Sequence, residues 1–339
     1  MRPPAYWYNP PGRPGLRARL LAPLGMLYAR STARRLATGH DWRAPVPVIC
    51  IGNLNFCGTG TMPAVLAVVA HLHRMGHEPA ILSWGKTGLL RGPVQVAPRH
   101  HTAADVGDGP LLAADFAPTW SARDWVEGAR AILSADRKGG APFDCIVMDD
   151  GFQNPSLAKD ISIVVVDAVR GFGNSRCLPA GPLREPVKRG LTRADLLLSI
   201  GPKSAQDRFS ELWGEHINLP HLQGELHPLQ TGMEWPGSRL LAFSGIGDPG
   251  RFFAILRGLG AELVRCESFE DQQPYSQALL ARLEREAANL GAQLVTTEKD
   301  AVRLPQDFRR KVLTLPVRLH VSDLSPLEYA LTRAGLGSG

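Results

Sequence analysis

One run constrains this chain more than any other: VPVICIGNLNFCGTGTMPAVLAVVAHLHRM, residues 46–75. Its first part, with Val46, Val48, Ile49 and Ile51, is apolar and β-branched, as in a strand buried on both faces of a parallel sheet. The run breaks at Gly52-Asn53, passes through the glycine-bearing turn Cys57-Gly58-Thr59-Gly60, and enters a helix with Pro63 in its first turn. Strand, glycine turn and helix in this order aim backbone N–H groups and a helix N-terminus at one spot, which is how α/β proteins hold phosphate. The pattern G-x-x-x-x-G-K-[ST] is met only in part. Thr61 follows Gly60 where the lysine would stand, and Met62 takes the place of the Mg²⁺-binding hydroxyl. Two readings stay open: a turn that only packs a helix on its sheet, or a phosphate cradle without its cation and metal ligand.

With 339 residues the chain exceeds one small core, so two domains are expected. Its 44% hydrophobic and 21% charged residues are those of an ordinary globular protein. No apolar run approaches the ~20 residues that span a bilayer. The net charge of +6 suits an anionic partner without choosing among nucleic acid, membrane and phosphorylated ligand. No basic–aromatic platform is visible, so no nucleic-acid partner is expected. The five cysteines (Cys50, Cys57, Cys145, Cys177, Cys266) form no CxxC, which argues against a disulfide framework or zinc site and for a reducing compartment.

The N-terminus is proline-rich and carries Tyr6, Trp7 and Tyr8. Arg17 and Arg19 then lead into an apolar stretch at 20–27, and Arg30, Arg34 and Arg35 follow. A short apolar helix between arginines, with aromatics upstream, suits a segment lying in a membrane interface beside anionic lipids. The alternative is a helix packed on the protein's own surface with solvated arginines. Further strands are expected at 80–83, 161–167 and 196–200, with 111–133 mostly helical and broken at Pro118. The strand in Phe143-Asp144-Cys145-Ile146-Val147-Met148-Asp149-Asp150 ends in two aspartates, which fits carboxylates meeting Mg²⁺ beyond the carboxyl end of a parallel sheet. Arg184, in a loop rich in turn formers, could meet an anionic ligand or a surface carboxylate. From about residue 207 the texture changes, and a second α/β alternation runs through strands at 240–243, 262–266 and 293–296.

Taken together these motifs resemble the tetraacyldisaccharide 4′-kinase (lipid A 4′-kinase) family of Gram-negative bacteria. The likeness covers nearly the whole chain. It is carried by the arginine-flanked helix, Gly52-Asn53-Leu54, Gly58-Thr59-Gly60, Asp149-Asp150-Gly151-Phe152-Gln153 and Phe172-Gly173-Asn174. It continues through Leu178-Pro179-Ala180-Gly181-Pro182-Leu183-Arg184-Glu185, Gly245-Ile246-Gly247 and Thr297-Glu298-Lys299-Asp300. The resemblance implies an α/β fold of two Rossmann-like, P-loop-type three-layer domains with the active site between them and an N-terminal membrane-associating helix. The division expected is an arm and interfacial helix at 1–40, a P-loop-like domain at 41–215 and a smaller α/β domain at 216–339. The implied reaction transfers the γ-phosphate of ATP, with Mg²⁺, to the 4′-hydroxyl of tetraacyldisaccharide 1-phosphate. The implied setting is the cytoplasmic face of the inner membrane, with the lipid A disaccharide precursor and the anionic membrane surface as partners and a monomeric enzyme. Asp108, Asp149 and Asp150 are the expected catalytic carboxylates, with Asp149 on the metal. Asn55, Phe56, Cys57, Gly58, Thr59, Gly60, Thr61 and Met62 are the expected nucleotide-binding turn.

The departures from the family pattern fall on its working residues. GTGKTP becomes Gly58-Thr59-Gly60-Thr61-Met62-Pro63, and SRGYGG becomes Ser83-Trp84-Gly85-Lys86-Thr87-Gly88. GDEP becomes Gly107-Asp108-Gly109-Pro110, DHH becomes Asp271-Gln272-Gln273, and FGNG ends in Ser175. Thr61 carries no charge for the β- and γ-phosphates, a thioether at Met62 is a poor ligand for hard Mg²⁺, and Gln272 cannot titrate. Lys86 reads as a surface lysine, with a relocated phosphate-binding cation as the alternative. A second reading is therefore a catalytically impaired or inactive pseudokinase that binds lipid or nucleotide at the membrane.

Overall fold

The computed structural model describes residues 3–39, 42–56, 60–85, 87–135, 142–271 and 273–337. Eight strands come first in chain order: β1 (Val48–Gly52), β2 (Pro79–Ser83), β3 (Val94–Gln95), β4 (Thr119–Ser121), β5 (Cys145–Asp149), β6 (Ile161–Asp167), β7 (Leu196–Ile200) and β8 (His221–Pro228). They form one sheet in the spatial order β8-β7-β6-β1-β5-β2-β4-β3, parallel except at the β3 edge. A second, wholly parallel sheet follows, in the order β10-β9-β11-β12, from β9 (Arg239–Ser244), β10 (Glu262–Ser268), β11 (Gln293–Thr297) and β12 (Val312–Leu315). The chain then returns to the first sheet as β13 (Val317–Val321), antiparallel to β8.

β1 shows why the first sheet is covered on both faces. All five of its residues are buried. Side chains alternate across a strand, so Val48 and Cys50 enter one apolar cluster and Ile49 and Ile51 the other. The helix Thr61–Arg74 closes the Ile49 face with Val65, Val68, Val69 and Leu72, the i, i+3, i+4, i+7 stripe of an amphipathic helix. Each such buried side chain contributes about 1.5–3 kcal/mol relative to exposure. The second sheet repeats the logic. Leu240 and Ala242 pack on Phe252, Phe253 and Leu256 on one side, while Leu241 and Phe243 pack on Leu280 and Leu283 on the other.

The sheets divide the chain differently from a boundary at 216. β8 and β13 belong to the first sheet, so the second α/β unit is an insertion between them. The helix Ser325–Arg333 also returns to the first unit, burying Leu327 and Leu331 in the cluster of Ile49 and Ile51. Within 111–133 the structure has helix Asp108–Ala113, then β4, then helix Trp125–Leu133. β4 is three residues long, too short to show periodicity, and is held in the sheet by the burial of Trp120.

At the N-terminus, helices Leu16–Leu20 and Ala22–Ala37 lie on the loop around residue 177. Their buried residues are small: Ala18, Gly25 and Thr32. Gly25 is required by closeness, since a Cβ there would lie 2.8 Å from the Cys177 carbonyl oxygen. The large residues Leu16, Leu20, Leu24 and Leu27 are exposed by 73%, 71%, 53% and 59%. Small-in and large-out is the reverse of a helix that serves its own core. Among the described residues no helix is long and apolar enough to cross a membrane.

Candidate active site

β2, β5 and β1 are neighbours in the first sheet, so the loops after Ser83, Asp149 and Gly52 open on the same edge. That carboxyl edge is where open α/β sheets hold ligands. There a cleft of about 600 Å³ lies between the two α/β units, with Gly60, Thr61, Asp108 and Asp149 from the first and Arg251 and Lys299 from the second.

The turn after β1 is set by close packing. A Cβ on Gly52 would lie 2.5 Å from the Cβ of Phe152, a wholly buried ring, so only glycine fits. Asn53 follows and donates from Nδ2 to Thr61 Oγ1 and to Asp150 Oδ1, both at 3.2 Å. Gly60 enters the helix in the left-handed region at φ +84°, and no side chain of the described residues caps that helix N-terminus.

The two aspartates after β5 meet different surroundings. Asp149 accepts from Ser83 Oγ at 3.0 Å. Burial first, and then the charges of Asp150 and Asp108, push its carboxyl up to about 7, against the pull of the Ser83 hydrogen bond and Lys299. Asp150 is left-handed at φ +58°. Its two oxygens take both terminal nitrogens of Arg184, at 2.8 and 2.9 Å. Arg184 also donates to Gln153 Oε1, and Gln153 donates to the Asn53 carbonyl and to buried Glu185, which is paired with Arg193. Asp150 is thus tied into the turn by Arg184 and Asn53 while it also lines the cleft.

Asp108 opens the helix Asp108–Ala113 and is 7% exposed. Its Oδ1 accepts from the Gly109 N–H at 2.9 Å. Among the described residues its Oδ2 has no hydrogen-bond donor, and it faces Lys299 Nζ at 3.5 Å. A Cβ on Gly109 would come 3.3 Å from Met62 Cε and 4.0 Å from Asp149 Oδ2, so this glycine stands between the turn and the aspartates.

Four consecutive residues on the opposite wall have four separate partners. Thr297 caps the helix Glu298–Ala301 by accepting from the Asp300 N–H. Glu298 accepts from the Val317 N–H and from Arg318, tying this wall to the returning strand β13. Asp300 is wholly buried and accepts from Ser244 Oγ, Thr297 Oγ1, Tyr275 OH and the Gly245 N–H, with Arg303 as its ion pair. Thr297, Glu298 and Lys299 all line the cleft, and of them Lys299 brings a positive charge to it, between Asp108 at 3.5 Å and Asp271 at 3.8 Å.

Of the expected site residues, Phe56, Gly60, Thr61, Met62, Asp108, Asp149 and Asp150 line the cleft. Asn55 does not: it is buried and donates to the Gly171 carbonyl at 2.9 Å, a support for the turn rather than a ligand-facing group. Cys57, Gly58 and Thr59 lie outside the described residues, as do Lys86 and Gln272. Lys299 and Arg251 carried no assignment from sequence; only the meeting of the two units brings them to the site. Among the described residues no cluster of three or more His, Cys, Asp or Glu is arranged to hold a metal. Mg²⁺ needs less, since one or two carboxylates and substrate phosphates complete its shell, and Asp149 beside Asp108 fits that mode.

The sequence matches the family model described as tetraacyldisaccharide-1-P 4′-kinase over residues 17–334. It is 56% identical to the tetraacyldisaccharide 4′-kinase of Dinoroseobacter shibae over 332 residues, 98% of this chain and 97% of the relative. It is 52% identical to that of Jannaschia sp. (strain CCS1) over 333 residues, 98% and 99% of the two chains. The crystal structure of LpxK from Aquifex aeolicus in complex with ATP has the same fold, with a TM-score of 0.72 at 23% identity over 94% of this chain and 99% of that one. Extent and identity together make this chain a member of the tetraacyldisaccharide 4′-kinase family.

Proposed function

We propose that this chain transfers the γ-phosphate of ATP to the 4′-hydroxyl of tetraacyldisaccharide 1-phosphate, the reaction after which its relatives are named. The observation that carries the reading is the cleft in which an uncapped helix N-terminus, Asp108, Asp149 and Lys299 converge. A helix N-terminus entered through a glycine turn is suited to phosphate. In the transfer, the acceptor hydroxyl oxygen bonds to the γ-phosphorus as the bond to the β,γ-bridging oxygen breaks, and ADP leaves with that electron pair. Asp108 lines the cleft and its Oδ2, which has no hydrogen-bond donor among the described residues, takes the hydroxyl proton. A positioned base of this kind is worth about 10²–10⁴ in rate. Asp149 is the carboxylate that would hold Mg²⁺, which when bound neutralises charge on the transferred phosphate. Asn53, Asp150 and Arg184 keep the turn in place.

The exposed leucines of the N-terminal helices, with Arg17, Arg19, Arg30, Arg34 and Arg35 beside them, support peripheral attachment to an anionic membrane surface, the cytoplasmic face of the inner membrane. The substitutions Thr61, Met62 and Gly109 motivate the binding-only alternative, but nothing among the relatives favours it over this reading.

The test is transfer of labelled γ-phosphate to the disaccharide 1-phosphate by the purified full chain on anionic vesicles with Mg²⁺. Label at the 4′ position, lost in Asp108→Asn, is expected. No transfer above a protein-free control sinks the reading.

A further inference from the structure

We propose that Lys299 is the cation that meets the γ-phosphate, standing in for the charge that Thr61 does not carry. This rests on the kinase reading above and names the residue that makes it workable. Phosphoryl transfer depends on neutralising the triphosphate, and the phosphate turn supplies no charged side chain at 60–62. Among the described cations of the cleft, Arg184 is committed to Asp150, and the charge of Arg251 is felt at Asp167 at the end of β6, whereas Lys299 faces Asp108 and its charge is felt at Asp149 at the end of β5. Lys299 is differently held. Its carboxylate partners lie at 3.5 and 3.8 Å, beyond a good charged hydrogen bond, and its side chain is 33% exposed.

Position supports the same assignment. Met62, beside the missing lysine, packs in the apolar cluster that also holds Val302, three residues beyond Lys299. The Lys299 charge is felt at Asp149, so cation, metal-binding carboxylate and base share one corner of the cleft. Burial works against the Lys299 charge, but Asp108 and Asp271 outweigh it, and the ammonium is held above the ordinary lysine range. Its neighbours Thr297, Glu298 and Asp300 are all engaged in fixing the segment, which leaves Lys299 as its working end. Without ligand the ammonium rests on the two carboxylates. With a triphosphate it turns to the γ-phosphate and leaves Asp108 Oδ2 to the acceptor hydroxyl.

The experiment compares ATP and ADP binding, with Mg²⁺, to the full chain and to Lys299→Met and Lys299→Arg by calorimetric titration. Lys299→Met is expected to weaken ATP about 10- to 100-fold, the range of one charge-assisted hydrogen bond, while ADP changes less than about twofold. Lys299→Arg should recover most of the ATP preference. Equal losses for both nucleotides, or no loss for either, overturn the assignment and leave the kinase reading standing. A parent chain that binds neither nucleotide overturns both. As an independent check, Asp271→Asn should tighten ATP by loosening the resting contact; unchanged or weaker ATP binding there counts against the proposal.

Discussion

Arg184 donates both terminal guanidinium nitrogens to the carboxylate of Asp150, at 2.8 and 2.9 Å. The pair bridges the loop after β5 and the loop at 178–186, while Asn53 ties the same carboxylate to Thr61 at the head of the phosphate turn. Arg184→Ala leaves Asp150 with Asn53 alone in a half-buried site. We expect a loss of about 1–3 kcal/mol in chemical denaturation, below the full cost of breaking a buried pair because Asp150 keeps some solvent. Arg184→Lys should recover less than half, since an ammonium cannot match the two-pronged geometry. A lysine variant as stable as the parent would show that the fork does not matter.

Asp149 makes stability depend on pH in a definite direction. Its folded carboxyl titrates at about 7, above its ordinary value of 3.8, so folding favours the protonated form. Its contribution is therefore complete below the unfolded value, near pH 4, and is lost as pH rises through about 7. Asp149→Asn keeps an oxygen for the Ser83 hydroxyl and removes the titration. In EDTA the variant should gain on the parent by about 2 kcal/mol between pH 4 and pH 8, half the full linkage value because Asp149 is not sealed from water. Added Mg²⁺ should narrow that gap at pH 8 by binding the carboxylate of the parent. Parallel stability curves for the two proteins would refute the burial argument.

The first sheet was legible because its signals are local. The β-branched run at 46–51 and the 65, 68, 69, 72 stripe each state a period within a few residues, and the structure follows both. The insertion was not legible, because nothing in HLQGELHP tells which sheet β8 will join; that is settled by β7 and β13, far apart in the chain. Asp149 and Asp150 are marked by their place at a strand end, and Asp108 by the family resemblance alone. The pairing of Asp150 with Arg184 is not legible there, because it is a tertiary fact. Lys299 has no such local mark, because Asp271 meets it from another loop of the second unit and Asp108 only across the cleft between the two units.

Asp300 tests how firmly the second wall is built. The carboxylate is wholly buried, with four hydrogen-bond donors and the Arg303 ion pair around it. Asp300→Ala removes the carboxylate that balances Arg303, which is only 10% exposed and keeps only the neutral acceptors Gln273, Gly245 and Tyr275 among the described residues, and it takes the acceptor from the Ser244 and Tyr275 hydroxyls. A loss of about 3–5 kcal/mol is expected, from the unpaired buried charge more than from any one hydrogen bond. The double variant Asp300→Ala with Arg303→Met should recover part of it, because the stranded charge goes too. Strictly additive losses in the double variant would contradict this account.

The N-terminal helices make a prediction that separates attachment from folding. Leu20, Leu24 and Leu27 are exposed, so folding gains little from them, while the small residues Ala18, Gly25 and Thr32 make the contact with the rest of the protein. Changing all three leucines to serine should move the unfolding midpoint by less than about 0.5 kcal/mol equivalent, as for ordinary surface changes. The same variant should lose at least about tenfold in partitioning onto anionic vesicles, because each leucine withdrawn from water is worth about 1.5 kcal/mol or more. Cosedimentation with vesicles of graded anionic content, beside calorimetric melting, reads both quantities. Unchanged vesicle binding would move attachment to the arginines alone, and a large drop in melting temperature would mean that the leucines serve the fold after all.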